Sequence, residues 1–311
     1  MRKNCTVGGQ AVIEGVMMRG SKCTATAVRL EDGSIVVNKE EYVPYTKRNK
    51  ILNIPILRGF ITLIESLIIG IKTLNYSASF FEDDEQESKF DKWVKNKFKE
   101  KTTNIILGFS LVLSLAFSIM IFFILPTFIT NFFSKATDNV IVLNLLEGLI
   151  RVIIFLLYLV IITKMEDIYR VFQYHGAEHK TIFCYENEDE LTPEVCSRYG
   201  RLHPRCGTNF IFLVFIISII LFSLIPWNSL LERIAYRILL LPFVSGITYE
   251  LIKWLGKNNN FISRVIAFPG LMLQKLTTKE PDLAQLEVAI AALKASEGIE
   301  DKDEICQEVL E

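Results

Sequence analysis

Two stretches of this chain carry no charge at all. Residues 102–134 contain no Asp, Glu, Lys or Arg, and neither do residues 206–231. About 20 apolar residues cross the hydrocarbon core of a bilayer, so runs of this length exclude an ordinary soluble globule. Over the whole chain the charged fraction is 22%, close to the roughly 25% of soluble domains, so the deficit is local. The same composition excludes a disordered chain, a collagen and a small disulfide scaffold. A net charge of −1, without a domain-wide basic excess, argues against nucleic acid as a partner. Met1-Arg2-Lys3 is basic, but Gly8, Gly9, Gln10 and Glu14 break up any apolar run after it. No secretory signal is expected, and the membrane segments themselves direct insertion.

The pattern predicts a mainly α membrane protein with a small N-terminal β unit. Residues 24–30 and 34–38 are rich in Val, Thr and Ile, and Asp32-Gly33 between them signals a hairpin. Residues 6–18 supply one or two further strands. Pro55 opens an apolar segment, 56–74, in which Arg58, Glu65 and Lys72 recur every seven residues. That stripe favours a helix lying in the membrane interface over a spanning one. Residues 82–101 are charge-dense and read as a solvated helix or linker. Four spans are expected, at 104–126, 140–163, 209–226 and 234–255. The second holds Glu147 and Arg151, spaced to pair and to face the bundle interior; the fourth holds Pro242, Gly246 and Glu250. Residues 261–276 read as lying against the membrane. Thr277-Thr278-Lys279-Glu280-Pro281 reads as a helix start, with Leu283, Leu286, Ile290 and Leu293 as its apolar stripe. The acidic stretch 297–311 reads as a frayed tail. The domains expected are 1–50, 51–101, 102–255 with its loop 164–208, and 256–311.

Lys and Arg counts set the orientation. Residues 1–102 hold 17, the 127–139 loop one, the 164–208 loop six, the 227–233 loop one, and the tail from 256 six. This places both termini and the 164–208 loop in the cytoplasm. The cysteines then mostly face a reducing compartment, as free thiols or ligands.

All three histidines fall in that one loop. In His175-Gly176-Ala177-Glu178-His179, helical spacing points both imidazoles and the carboxylate the same way. This is the His-x-x-Glu-His pattern in which histidines bind zinc and the Glu acts as base; an ordinary polar surface helix is the plainer reading. His203-Pro204-Arg205-Cys206-Gly207 resembles half a zinc knuckle with one Cys replaced by His, or else a Pro-Gly turn entering a span. Together they offer His175, His179, His203 and Cys206 as ligands for zinc or another divalent metal. The metal is either structural, held by all four, or catalytic, with an open position and Glu178 as base. Arg198, Arg201 and Arg205 suit an anionic head group or simply the inside rule. In residues 8–20, Gly8, Gly9, Gly15 and Gly20 flank Gln10, Glu14 and Arg19. They allow close backbone approach to a ligand or bend a strand.

Residues 8–20, 55–78 with Arg58-Gly59, 175–180, 203–209 and 274–292 resemble the YqhQ-like family, bacterial proteins described as predicted metal-dependent membrane enzymes. The resemblance covers nearly the whole chain. It implies an integral membrane protein with a metal, and no particular reaction. The leading expectation is a metal-dependent membrane enzyme, hydrolytic, acting on a lipid-linked or membrane-embedded substrate at the cytosolic face. Glu178 is its catalytic residue, and Gln10, Glu14, Arg19, Arg201 and Arg205 are its substrate contacts. The alternative is a non-catalytic scaffold or transport component with a structural metal. The expected partners are the lipid bilayer and that substrate, with a homo-oligomer left open.

Overall fold

The computed structural model describes residues 7–81, 102–133, 137, 139–224, 229–258 and 260–299. The expected charged linker at 82–101 and the acidic tail from 300 onward lie outside them. The chain is mainly helical with one antiparallel sheet and divides into two units. One comprises Met1–Phe80, Leu159–Ser218 and Ile234–Glu311; the other comprises Phe81–Tyr158 and Ile219–Arg233.

In the first unit, β1 (Gly8–Val12), β2 (Gly15–Arg19), β3 (Thr24–Arg29) and β4 (Ile35–Glu40) lie in that order in the sheet. The Asp32-Gly33 hairpin forms where the sequence signals it. Gly33 takes φ 87°, and the Asp32 carboxylate accepts from the Ser34 amide at 2.9 Å. Short helices α1 (Tyr45–Arg48) and a 3₁₀ turn (Ile51–Asn53) lead into α2 (Leu57–Ala78). The predicted stripe on α2 faces protein. Arg58 forms a two-bond pair with Glu250, buried Glu65 accepts the Tyr45 amide, and Lys72 meets Glu40 at 2.7 Å. The opposite side exposes Leu67, Ile68, Ile71 and Leu74.

The core lies between the sheet and two helices, α6 (Glu166–Glu186) and α11 (Leu283–Glu297). Val16, Met18 and Ala27 pack there with Tyr174, Ala177, Leu286, Ala289 and Leu293. An Asp282/Gln285 capping box starts α11, and Gly298 at φ 68° ends it. Pro281 therefore precedes the cap. Leu283 is exposed, whereas Val288, Ala289 and Ala292 join Leu286, Ile290 and Leu293 inside. The buried side is wider than a single stripe because strands and α6 both press on this helix.

Cys184 on α6 and Cys196 on α7 (Pro193–Cys196) sit in the same core, both fully buried. Burial raises both thiols above their ordinary range, and the thiolate is the reactive form. Neither should react with an aqueous maleimide at pH 8 until the protein is unfolded in detergent. Labelling of Cys184 or Cys196 in the folded protein, located by peptide mapping, would contradict this packing.

The second unit contains α3 (Thr102–Ile119), which passes through a π turn (Met120–Ile124) into α4 (Leu125–Phe133). The turn accommodates Pro126, which has no amide to give. Most of α5 (Val140–Ile162) also belongs here. The expected pair forms: Arg151 donates to Glu147 at 2.8 Å and to the Phe122 carbonyl at 2.8 Å, and Thr127 donates to Glu147 at 2.9 Å.

Among the described residues, three helical segments are long and apolar enough to cross a membrane: Gly108–Phe133, Val140–Ile162 and Ala235–Lys257. The last lies within α9 (Leu230–Lys257). The remaining window holds α8 (Gly207–Phe222), a shorter apolar helix of 16 residues. That is about 24 Å of helix against a core about 30 Å thick. α10 (Phe261–Thr277) comes next, exposing Phe261, Ile262, Val265 and Phe268.

Candidate metal centre

Helix α6 begins with Glu166 and Asp167, favourable at a helix N-terminus. It presents His175, Glu178 and His179 on one face. The two imidazoles meet edge to face, ring centroids 4.5 Å apart. His175 Nδ1 lies 2.8 Å from the Thr277 carbonyl oxygen, and His179 Nδ1 lies 2.5 Å from that of Arg201. A carbonyl only accepts, so each Nδ1 carries the proton and each Nε2 carries a lone pair. His175 Nε2 lies 3.2 Å from Cys206 Sγ. His179 Nε2 is buried and has no hydrogen-bond partner among the described residues. The donor atoms of His175, His179 and Cys206 all lie within 4.8 Å of one another. Two imidazole nitrogens and one thiolate are a donor set that would suit zinc. Anchoring of Nδ1 by a backbone carbonyl is how metal-ligating histidines are oriented.

The sites that hold these donors come from far along the chain. Gln274, fully buried on α10, accepts from the His203 amide at 2.8 Å and donates to the His203 carbonyl at 2.8 Å. It also donates to Asn209 at 3.2 Å, which clamps the loop carrying Cys206 to α10. The Thr277–Pro281 segment straps across α6. Arg201 donates to the Thr278 carbonyl at 2.6 Å, Lys279 donates its amide to the Phe172 carbonyl at 2.8 Å, and Lys180 pairs with Glu280. Gly176 lets this strap approach: a Cβ there would overlap the Lys279 carbonyl oxygen. Gly176→Ala should therefore lift the strap that orients His175. Overpacking of this kind costs about 1–3 kcal/mol. The expected result is a melting temperature several degrees lower, read by a thermal-shift assay of the detergent-solubilised protein.

Glu178 is buried between α6 and β1. Burial raises its pKa, while the neighbouring His175 and His203 and the Gly9 backbone amide oppose the shift. Gly9 is the element of the Gly-rich segment that matters here. A Cβ on it would stand 3.0 Å from the Glu178 carboxyl carbon and 2.6 Å from the Met17 carbonyl oxygen. The strand backbone thus lies directly against the carboxylate.

Of the four expected ligands, His203 stands apart from the group. Its ring packs on Phe183, and its centroid lies 5.7 Å from that of His179. Its Nε2 faces Glu186 at 3.6 Å. Burial lowers its pKa to about 4, so this contact is no ion pair at neutral pH. Glu186 takes its counter-charge from Arg205 instead. Burial likewise lowers the pKa of His179.

A cleft of about 390 Å³ opens onto the group, lined by His175, Glu178, His179, His203 and Cys206 and by Val7–Ala11. Arg205 and Gln10 line this cleft, but the Gln10 side chain is turned to α2, where it donates to the Gly70 carbonyl at 3.4 Å. Glu14 sits at the hairpin tip with φ 47° and is held by Arg170 and Tyr174. Arg19 lies over the Tyr42 ring and lines a separate cleft with Glu65 and Tyr249. Arg201 serves through its backbone carbonyl and anchors the strap. No residue pattern marks the roles of Gln274 and Thr277; the only signal is their place in or beside a segment, 274–292, that carries the family resemblance.

Residues 54–298 match the family described as "Protein of unknown function (DUF1385)". The chain is 37% identical over 288 residues to "Uncharacterized protein YqhQ" of Bacillus subtilis (strain 168), covering 91% of this chain and 89% of that protein. No solved structure matches. The chain therefore belongs to the DUF1385 family, whose function is unknown.

Proposed function

We propose that this chain is a metal-dependent membrane hydrolase, with His175, His179 and Cys206 as ligands and Glu178 as general base. One observation carries the reading: two carbonyl-oriented imidazoles and a thiol converge beside a buried carboxylate at an open cleft. A divalent metal held there supplies Lewis acidity. Glu178 takes a proton from the attacking water and returns it to the leaving group; a carboxyl raised by burial is suited to both halves of that exchange. The competing reading, a structural metal in a scaffold or transport component, needs a fourth protein ligand. His203 is the residue that would supply it. Metal analysis of the purified protein beside its His179→Ala variant tests the centre directly.

The core constrains the membrane topology of this reading. The N-terminal sheet, α6 and α11 share one apolar core, so all three lie on one side of a bilayer. An even number of crossings must then separate α6 from α11. This reading takes α9, long enough to cross, together with α8 as a pair of crossings, four spans in all, and the Lys and Arg counts support both termini in the cytoplasm. Exposed positions report this better than the buried native cysteines. In intact cells, an impermeant maleimide should label Ser229→Cys above the background of the unsubstituted protein. It should label Glu194→Cys only after permeabilisation. Labelling of Glu194→Cys in intact cells would place the centre outside and overturn the topology.

A further inference from the structure

Among the described residues, strand β1 is the edge of its sheet, paired only to β2. The register runs Val12 to Gly15 across a two-residue turn, then Gln10 to Met17 and Gly8 to Arg19. With a two-residue turn closing on Val12 and Gly15, the ladder bonds fall at Val12, Gln10 and Gly8, so the backbone groups of Gly9 point away from β2. Backbone groups alternate along a strand, so those of Ala11 point away from β2 as well. Gly8 and Gly9 are exposed and Ala11 is half-buried. Their side chains are too small to screen the backbone. This open edge lines the same cleft as the donor group.

We infer that the free edge of β1 receives an extended polypeptide as an added strand, laying a peptide bond across the centre. The substrate is then a protein segment. This rests on the hydrolase reading and names its substrate class. An edge strand recognises main chain by repeating amides and carbonyls, at about 6.8 Å per residue pair. An acyl chain offers nothing to pair with them. An anionic head group would want free cations, yet Arg205 is paired with Glu186 and Arg201 is tied to the Thr278 carbonyl. Soluble folds commonly guard such edges with Lys, Pro or a bulge; here Gly8, Gly9 and Ala11 leave the edge open beside the reactive groups. In the reaction, the oxygen of one water joins the carbonyl carbon and the C–N bond breaks. Glu178 carries a proton from that water to the leaving nitrogen, and the products are a carboxylate and an amine.

The probe is dye-labelled, reduced and carboxymethylated α-lactalbumin, an unfolded protein, added to the full chain in nanodiscs with zinc. Binding is read by fluorescence anisotropy in the Glu178→Gln background, which preserves the probe. Ala11→Pro removes the outward N–H without touching the ladder to β2, and Ala11→Ser retains it. Pro should weaken binding at least about 10-fold, Ser should leave it near the parent value, and both should keep full metal content. A second comparison needs no variant. A pool of random ten-residue peptides should compete with the probe, and the same pool with alternate amides N-methylated should not. Equal binding by Pro and Ser, competition by both pools, or no binding of the probe would overturn the inference. Cleavage of the probe by the parent protein, lost in Ala11→Pro, supports it. Edge-dependent binding without cleavage would leave β1 as a polypeptide site and overturn the hydrolase reading instead.

Discussion

Glu178→Gln should abolish most turnover while leaving the metal in place. Gln keeps the size and the helix and removes the basic oxygen. A positioned general base contributes about 10²–10⁴-fold, and that is the expected fall in the rate of substrate hydrolysis. Stability should hold or improve slightly. Glu178 is only 5% exposed, and burial penalises its charged form; a neutral amide escapes that penalty. Zinc content per chain and thermal melting are measured beside activity. If the metal is structural, with Glu178 as an outer support of its ligands, the signature inverts. Affinity would fall about 10–100-fold and melting would drop with it. Metal loss coupled to lower stability would defeat the catalytic reading and promote the scaffold.

Local chemistry was legible in the sequence, and long-range support was not. The Asp32-Gly33 hairpin, the Glu147/Arg151 pair and the shared face of His175, Glu178 and His179 all arise from spacings of two to four residues. The periodicity of strand and helix dictates such contacts. Gln274 grips His203 across 71 residues, and the acceptors for both imidazoles are backbone carbonyls of Thr277 and Arg201. A carbonyl belongs to every residue type, so no side-chain pattern marks it. The Gly-rich segment was legible as a place of close approach, but what approaches is Glu178, from another element. Glu14 illustrates the converse. It sits in that segment, yet its position at the hairpin tip carries its carboxylate past the cleft to Arg170 and Tyr174 on α6. His203 and Cys206 have ligand spacing, but Gln274 holds both backbone groups of His203. The Cys206 amide turns back to the His203 carbonyl at 3.2 Å. Cys206 joins the donor group, whereas His203, on the wall of the same cleft, packs its ring on Phe183 and faces Glu186.

That difference makes a ligand series informative. The purified chain should carry about one zinc-like ion, as a single three-donor group allows. His175→Ala, His179→Ala and Cys206→Ser should each empty most of the site at micromolar metal, because each removes one of three donors. His203→Ala should retain the ion, since its imidazole lies outside the group and stays neutral without it. This ordering separates the structure from the spacing argument, which counts His203 and Cys206 as equals. Acid should release the ion from the parent protein, because a thiolate and two neutral imidazoles bind it and protons compete for all three. The measurement is metal content after dialysis, by elemental analysis, across the four variants and a descending pH series. Full metal in a His175→Ala/His179→Ala double variant would remove the centre altogether. Loss in His203→Ala as deep as in His175→Ala would mean that binding draws His203 in as a fourth ligand. The metal would then be closed off from the cleft, and Glu178 would have no open position to serve.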